Sequence, residues 1–255
     1  MNVAAINDVG DIAWAARFVV VPPALAALVA AVVPRRDRTT ISAVSIGGAL
    51  AALLAALVEL AGTGAARSPA TCVSLLGPAP TGAGAIELSL RADRLSAVVA
   101  VMVCAIALAV QVYSVGYQSD DRRYRAFASV VSMFTAAMLL VVQADDLLLL
   151  LIGWEVMGIC SYLLIGHDSE REAARAAAVK AFLVTRMGDV GFVLGIIVLL
   201  ASAGTSSITT LLEPATLERL STGELTAASL LLIAGVVGKS AQLPLQTWLP
   251  DAMEG

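Results

Sequence analysis

Long apolar runs separated by short polar breaks occupy most of the chain. Seven can be read, at 12–33, 41–60, 95–117, 127–142, 147–165, 177–200 and 226–249. Each is near the ~20 residues a helix needs to cross a bilayer, whereas barrel strands would be about half as long and alternate in polarity. The pattern therefore predicts an all-α, polytopic membrane helix bundle of about seven transmembrane helices. The first run is interrupted by Pro22-Pro23, and the second ends on Glu59. A polar, Gly/Pro-rich segment spans 62–93, and 207–220 reads as a short amphipathic piece between the last two spans. The seventh run carries Pro244, which lacks an amide hydrogen and clashes with the preceding turn, so a break is expected there.

Composition narrows the function classes. Of 255 residues 59% are hydrophobic and only 14% charged, and the mean hydropathy is +0.88. Soluble domains carry about 25% charge, so a soluble enzyme and a basic nucleic-acid binder are both excluded, and disorder needs low hydrophobicity. The net charge of −4 advertises no strongly charged partner. Cys72, Cys104 and Cys160 show no paired spacing, and His167 stands alone, so no disulfide framework, zinc site or haem set is expected. Walker, dinucleotide, CxxC and HExxH patterns are missing, and the reading is of no cofactor and no metal in this chain. Asp8 and Asp11 precede the first run without a basic stretch, which is not the pattern of a signal peptide.

Charge then sorts by loop. Arg35, Arg36, Arg38, Arg122, Arg123, Arg125, Arg171 and Arg175 fall in loops that share one side of a seven-span chain. The opposite loops hold fewer arginines, together with Asp145, Asp146, Glu213, Glu218 and Glu224. The positive-inside rule places the arginine-rich side in the cytoplasm and the N-terminus outside. Trp14 and Trp248 fit interfacial aromatic belts.

A few charges do not sort. Lys180 and Lys239 are the only lysines, and both lie inside apolar runs, as do Glu155, Arg186 and Asp189. A charge at the bilayer centre costs at least ~2.5–3.5 kcal/mol, so such residues face the protein interior, pair, or line a water path. Glu155 is mid-span, either one half of a helix-orienting ion pair or a carboxylate tuned by a movable partner. Burial and pairing shift acid and amine in opposite senses, so a Glu–Lys pair whose separation changes can exchange protons. Lys239 follows Gly235 and Gly238 and precedes Pro244, which suits close helix packing and a broken helix lining a cavity. The bland alternative is a packing kink with an incidental lysine. Arg186 and Asp189 are three apart on one face and make an intrahelical pair, structural or field-tuning. Lys180 is either an interfacial anchor or a point of proton uptake from the cytoplasm. His167 and Asp145-Asp146 read more simply as interfacial residues. Glu155 and Lys239 are expected to approach within pairing or one-water distance.

Around these residues the sequence resembles a known family. The stretch Gly153-Trp-Glu-Val-Met-Gly-Ile-Cys-Ser-Tyr-Leu-Leu-Ile-Gly166 is similar to span five of the antiporter-like proton-translocating subunits of NADH–quinone oxidoreductase (respiratory complex I), in particular the L-subunit (chain 5) branch. The run Lys180-Ala-Phe-Leu-Val-Thr-Arg-Met-Gly-Asp189 resembles span six of that family. The segment from Gly238-Lys-Ser-Ala-Gln-Leu-Pro-Leu-Gln-Thr-Trp-Leu-Pro to Gly255 resembles its broken span seven, and Tyr113-Ser-Val-Gly-Tyr117 also fits. The resemblance covers about Asp93 to Gly255; before it the layout fits but carries little motif.

The resemblance implies roles. Glu155 and Lys239 match the family's glutamate–lysine pair that drives proton uptake, and Asp189 and Arg186 its span-six charged pair. It also implies a fold of about fourteen helices with two inverted repeats. The chain is thus expected to be a partial chain or split subunit, with 1–93 holding two helices and an external loop. Residues 94–255 then form the N-terminal part of the proton-channel repeat, stopping before span eight. The leading reading is a proton-translocating subunit of the oxidoreductase, with redox chemistry elsewhere. Its implied partners are other membrane subunits, the lipid bilayer, protons and water, with no nucleic acid, in a multi-pass cell membrane of bacterial inner-membrane type. The alternatives are the large subunit of a Mrp-type sodium/proton antiporter, a non-conducting scaffold, and a carbon-uptake or hydrogenase relative.

Overall fold

The computed structural model describes residues 3–65, 71–74, 79–81, 84–86 and 88–254, with side chains of the first helix described from Trp14. Among the described residues, seven helices are long and apolar enough to cross a membrane, as the hydropathy pattern requires. They are α1 (Val3–Val32), α2 (Arg38–Ala65), α3 (Arg94–Tyr117), α4 (Tyr124–Gln143), α5 (Leu147–Ile165), α6 (Glu172–Ala203) and α9 (Thr222–Lys239). The single-turn helices α7 (Ile208–Leu211) and α8 (Pro214–Leu217) occupy the expected amphipathic connection. The chain is a multi-pass membrane protein. The 62–93 segment is not wholly irregular: β1 (Thr71–Ser74) pairs antiparallel with β4 (Ser89–Ala92), and β2 (Ala79–Thr81) with β3 (Gly84–Ile86).

Contacts divide the chain into two units, each taken by itself below. The first comprises Met1–Leu75, Ser89–Asp145 and Ile152–Cys160. In it α1 packs on α2 and α4, and α2 on α3. Its core is small-residue packing, with Ala52, Ala56 and Ala100 against Val19, Cys104 and Leu139. The helix α1 runs unbroken through Pro22 and Pro23, where an interruption is expected. Neighbouring helices in a membrane tolerate such prolines, and α2 here comes close. A Cβ on Gly48 would lie 2.5 Å from Ala26 Cβ and 3.1 Å from the Pro22 carbonyl oxygen. Arg38 then fastens the turn after α3, donating to the Gln118 and Asp121 carbonyls at 2.6 and 2.8 Å while covering the Tyr124 ring.

Two local signals start helices as their sequences require. Asp93 opens α3 through a capping box, accepting from the Ser96 amide at 2.8 Å while the Ser96 hydroxyl accepts from the Asp93 amide at 2.9 Å. Partial burial pushes the Asp93 carboxyl up, but the Ser96 amide, Arg91 and the Ser96 hydroxyl together hold it below its ordinary value. Asp146 caps α5, accepting from the Leu148 and Leu149 amides at 2.9 and 3.0 Å. Its second oxygen takes the Ser206 hydroxyl. Asp146 is thus a buried cap as well as a boundary.

The second unit comprises Leu76–Leu88, Asp146–Leu151 and Ser161–Gly255, and is organised around α6 and α9. Gly188, Gly191 and Gly195 lie along one face of α6, and Gly235 and Gly238 along one face of α9. A Cβ on Gly188 would meet the Ala234 carbonyl oxygen at 2.8 Å, and one on Gly235 would meet Phe192 Cβ at 2.6 Å. Small residues let two backbones approach this closely, which is how helices associate where lipid supplies no hydrophobic drive. The opposite face of α6, with Leu183, Met187, Val190, Leu194 and Ile197, is exposed and fits a lipid environment.

The seventh span ends sooner than its hydropathy suggests. Helix α9 stops at Lys239, and 246–248 and 251–254 are short 3-10 turns instead of a continuation to 249. In a helix Pro244 would clash with the carbonyl of Ser240, so the helix must end before it. It does so in a Schellman motif, with Gln242 N–H donating to the Val237 carbonyl at 2.9 Å and Ala241 N–H to that of Gly238 at 3.4 Å. Ala241 takes the left-handed position at φ 51°, where glycine is usual.

Candidate functional site

The candidate residues lie on α5 in the first unit and on α6 and the broken end of α9 in the second. In the first unit, Gly153 docks α5 against α4: a Cβ there would meet Val141 Cγ2 at 2.8 Å and the Ala137 carbonyl oxygen at 3.0 Å. Glu155, two residues on, is half-buried on this helix. In the second unit, Arg186 Nε lies 3.3 Å from Asp189 Oδ2, with the Asp189 side chain 3% exposed and that of Arg186 26%. The guanidinium also sits 5.0 Å over the Phe182 ring. The structure thus brings Arg186 and Asp189 together as the three-residue spacing demands.

Lys239 is the last residue of α9, and its ammonium nitrogen is buried. The neighbouring Gly238 touches Gly188, since a Cβ on either glycine would come within 3.2 Å of the other's Cα. Asp189 and Lys239 are therefore the chain neighbours of the two glycines at this crossing. A cation at a helix C-terminus also lies against the negative end of the helix dipole. Beyond the break the chain folds back, with the Trp248 indole N–H donating to the Gly238 carbonyl at 3.1 Å. Trp248 and Ala252 pack on Ile165, Ala177, Ala178 and Ala181.

Lys180 sits elsewhere. It lies eight residues inside α6 and pairs with Asp251 at 2.7 Å, both side chains 44% exposed. A second exposed pair joins Arg171 to Glu254 at 2.8 Å. Exposed pairs of this kind contribute about 0–1 kcal/mol each, so their main effect is to hold the 3-10 segment against α6. Among the described residues no three of His, Cys, Asp and Glu gather as a metal-ligand set.

One buried acid escapes sequence reading. Glu59 marks the end of an apolar run in the sequence, yet α2 continues to Ala65, and Glu59 is fully buried against Gln143 of α4. The signals were its being the only acid in that run and the glutamine closing span four. Nothing in sequence joins positions 84 apart.

Among the described residues, seven membrane-length helices, one closed by a lysine whose ammonium nitrogen is buried and another carrying an Arg–Asp pair, define an integral membrane protein with charge inside its spans. Residues 144–255 match the family described as NADH:quinone oxidoreductase/Mrp antiporter, TM. Residues 79–128 match NADH-Ubiquinone oxidoreductase (complex I), chain 5 N-terminus. NADH-quinone oxidoreductase subunit L of Rickettsia felis is 40% identical over 175 residues, covering 67% of this chain and 27% of that protein. The subunit L of Mycobacterium tuberculosis is 40% identical over 176 residues, covering 69% and 28%. Among solved structures, the Mrp complex from Dietzia sp. matches with a TM-score of 0.74 at 26% identity, covering 96% of this chain and 25% of that one. An archaeal membrane-bound sulfane sulfur reductase shares the fold, with a TM-score of 0.81 at 17% identity, covering 93% of this chain and 47% of that one.

Residues 79–128 and 144–255 are thus similar to the antiporter-like membrane subunits that these matches describe. The chain spans about a quarter of the length of the curated relatives it matches.

Proposed function

We propose that this chain forms the N-terminal part of a proton-translocating subunit of NADH–quinone oxidoreductase, in which quinone is reduced by other subunits. The observation that carries the reading is the α6–α9 crossing, where Gly188 meets Gly238 and the adjoining residues are Asp189, paired with Arg186, and Lys239, whose ammonium nitrogen is buried. Lys239 is the proton carrier. Its ammonium is favoured while a carboxylate is near, and burial favours loss of the proton when that carboxylate withdraws. Glu155 is the movable carboxylate, and Arg186, which does not deprotonate, pairs with Asp189 and sets the field at the crossing. Lys180, paired with Asp251 outside the buried cluster, is the residue nearest to water and receives protons from the arginine-rich side. That side is the cytoplasm, with the N-terminus outside. The location is a bacterial inner membrane, and the partners are other membrane subunits, lipid, water and protons.

The test is proton pumping in membrane vesicles carrying the assembled complex. Lys239→Ala and Glu155→Gln should each abolish pumping while assembly survives; intact pumping in both would leave only a scaffold. The match to the Dietzia Mrp complex over 96% of the chain supports a second reading, the large subunit of a sodium/proton antiporter. Sodium-driven proton exchange without NADH oxidation would establish that alternative.

A further inference from the structure

A second polar pair, unused by the relay above, lies within the first unit. Glu59 of α2 and Gln143, the last residue of α4, are both 0% exposed. Gln143 Nε2 stands 2.6 Å from Glu59 Oε2, while Glu59 Oε1 and Gln143 Oε1 have no hydrogen-bond partner among the described residues. An ionised carboxylate offers only acceptors, and so does an amide oxygen. A charged Glu59 would leave two buried acceptors without donors and a negative charge in the membrane interior held by one neutral amide. The separation also fits an O–H···O bond better than an N–H···O bond, whose usual length is about 2.9–3.0 Å. A half-turn of the amide places its oxygen at that contact, ready to accept from a carboxylic acid.

The groups on the surrounding elements do not offer Glu59 a cation of the kind Asp189 has. On α3 and at its cap they are Cys104, Asp93 and Arg94, whose Nε donates to the Thr63 carbonyl at 3.3 Å. On β4 Arg91 lies 3.1 Å from Asp93, and on α1 Arg17 covers the Trp14 ring at 5.7 Å. On α4 the facing group is Gln143 itself. Two residues beyond it in the chain, Asp145 accepts from the thiol of exposed Cys72 at 3.7 Å.

We propose that Glu59 is a proton-binding site inside the membrane: its carboxyl takes one proton from water and stays a neutral acid, hydrogen-bonded to Gln143. The site is independent of the Glu155–Lys239 relay. The experiment is infrared spectroscopy of the full chain in lipid vesicles at pH 7, where an exposed glutamate, with a pKa of about 4.3, is ionised. A protonated-carboxyl C=O band is expected, shifting on exchange into D2O, lost in Glu59→Gln and retained in Glu155→Gln. Gln143→Leu should keep the band but move it to higher frequency, as the hydrogen bond weakens. Absence of the band at pH 7, or its survival in Glu59→Gln, overturns the proposal. If Glu59→Gln does not insert, a Gln143→Leu band at the wild-type frequency overturns it equally.

Discussion

Two buried carboxyls in this membrane protein are managed in opposite ways. Asp189 has a guanidinium from its own helix at 3.3 Å, next to the glycine contact of the α6–α9 crossing. Glu59 has only a neutral amide from a different helix, at 2.6 Å. The backbones around them differ as well. Asp189 sits in a seam of glycines where helices nearly touch, whereas Glu59 lies beside a core of alanine, cysteine and leucine. Partner chemistry rather than burial distinguishes the two acids, because both are shielded from solvent to a similar degree.

Amide substitutions should therefore separate the two sites. Asp189→Asn strips a buried guanidinium of its partner and should cost about 3 kcal/mol, read by thermal unfolding in detergent. Glu59→Gln, which replaces one neutral group with another, should cost less than about 1 kcal/mol in the same assay. Equal losses would erase the distinction. The glycine seam can be broken directly: Gly188→Val drives a side chain against the Ala234 carbonyl at 2.8 Å and should cost about 1–3 kcal/mol. Gly47→Ala, with nothing within 4 Å in the middle of α2, is the clash-free control and should gain about 0.5–1 kcal/mol.

Smaller effects sharpen the picture at each region's edge. Asp93→Ala removes the cap of α3 and should cost about 1 kcal/mol near neutral pH. The Asp93 carboxyl is held below its ordinary value, so this contribution is full above about pH 4 and fades as pH falls through the folded-state value. The cost of the substitution should accordingly shrink in acid, measured as the difference in unfolding temperature between the two chains. In the second unit Ala241→Gly relieves the left-handed strain of about 1–2 kcal/mol and adds about 0.5–1 kcal/mol of backbone entropy. A net gain of about 0.5 kcal/mol in detergent unfolding is expected.

Much of the architecture was legible because lipid imposes one rule along the whole chain. The fifth span is Leu147–Ile165 in both hydropathy and structure, with Asp146 capping it. The Arg186–Asp189 pair was legible too, since helix geometry brings residues three apart together. Where the pattern misjudged, a local event outweighed hydropathy. Apolar composition continues to Leu249, yet α9 ends at Lys239, a few residues ahead of Pro244, where the break was expected. Pro22-Pro23 signalled an interruption, but packing against α2 carries α1 through it. The paired strands within 62–93 left no hydropathy signal, being too short to show alternation among Gly and Pro.

Sequence alone determined that the chain crosses the membrane several times and which charges lie within its apolar runs. Those properties follow from solvation, which acts on each residue by its own chemistry and needs no knowledge of neighbours far away. The tertiary structure decided which charges have partners. It set Lys180 on Asp251, brought Gly188 to Gly238 beside Asp189 and Lys239, and buried Glu59 against Gln143. Pairing depends on which helix faces are brought into contact, and in a membrane that is settled by close packing rather than by hydropathy.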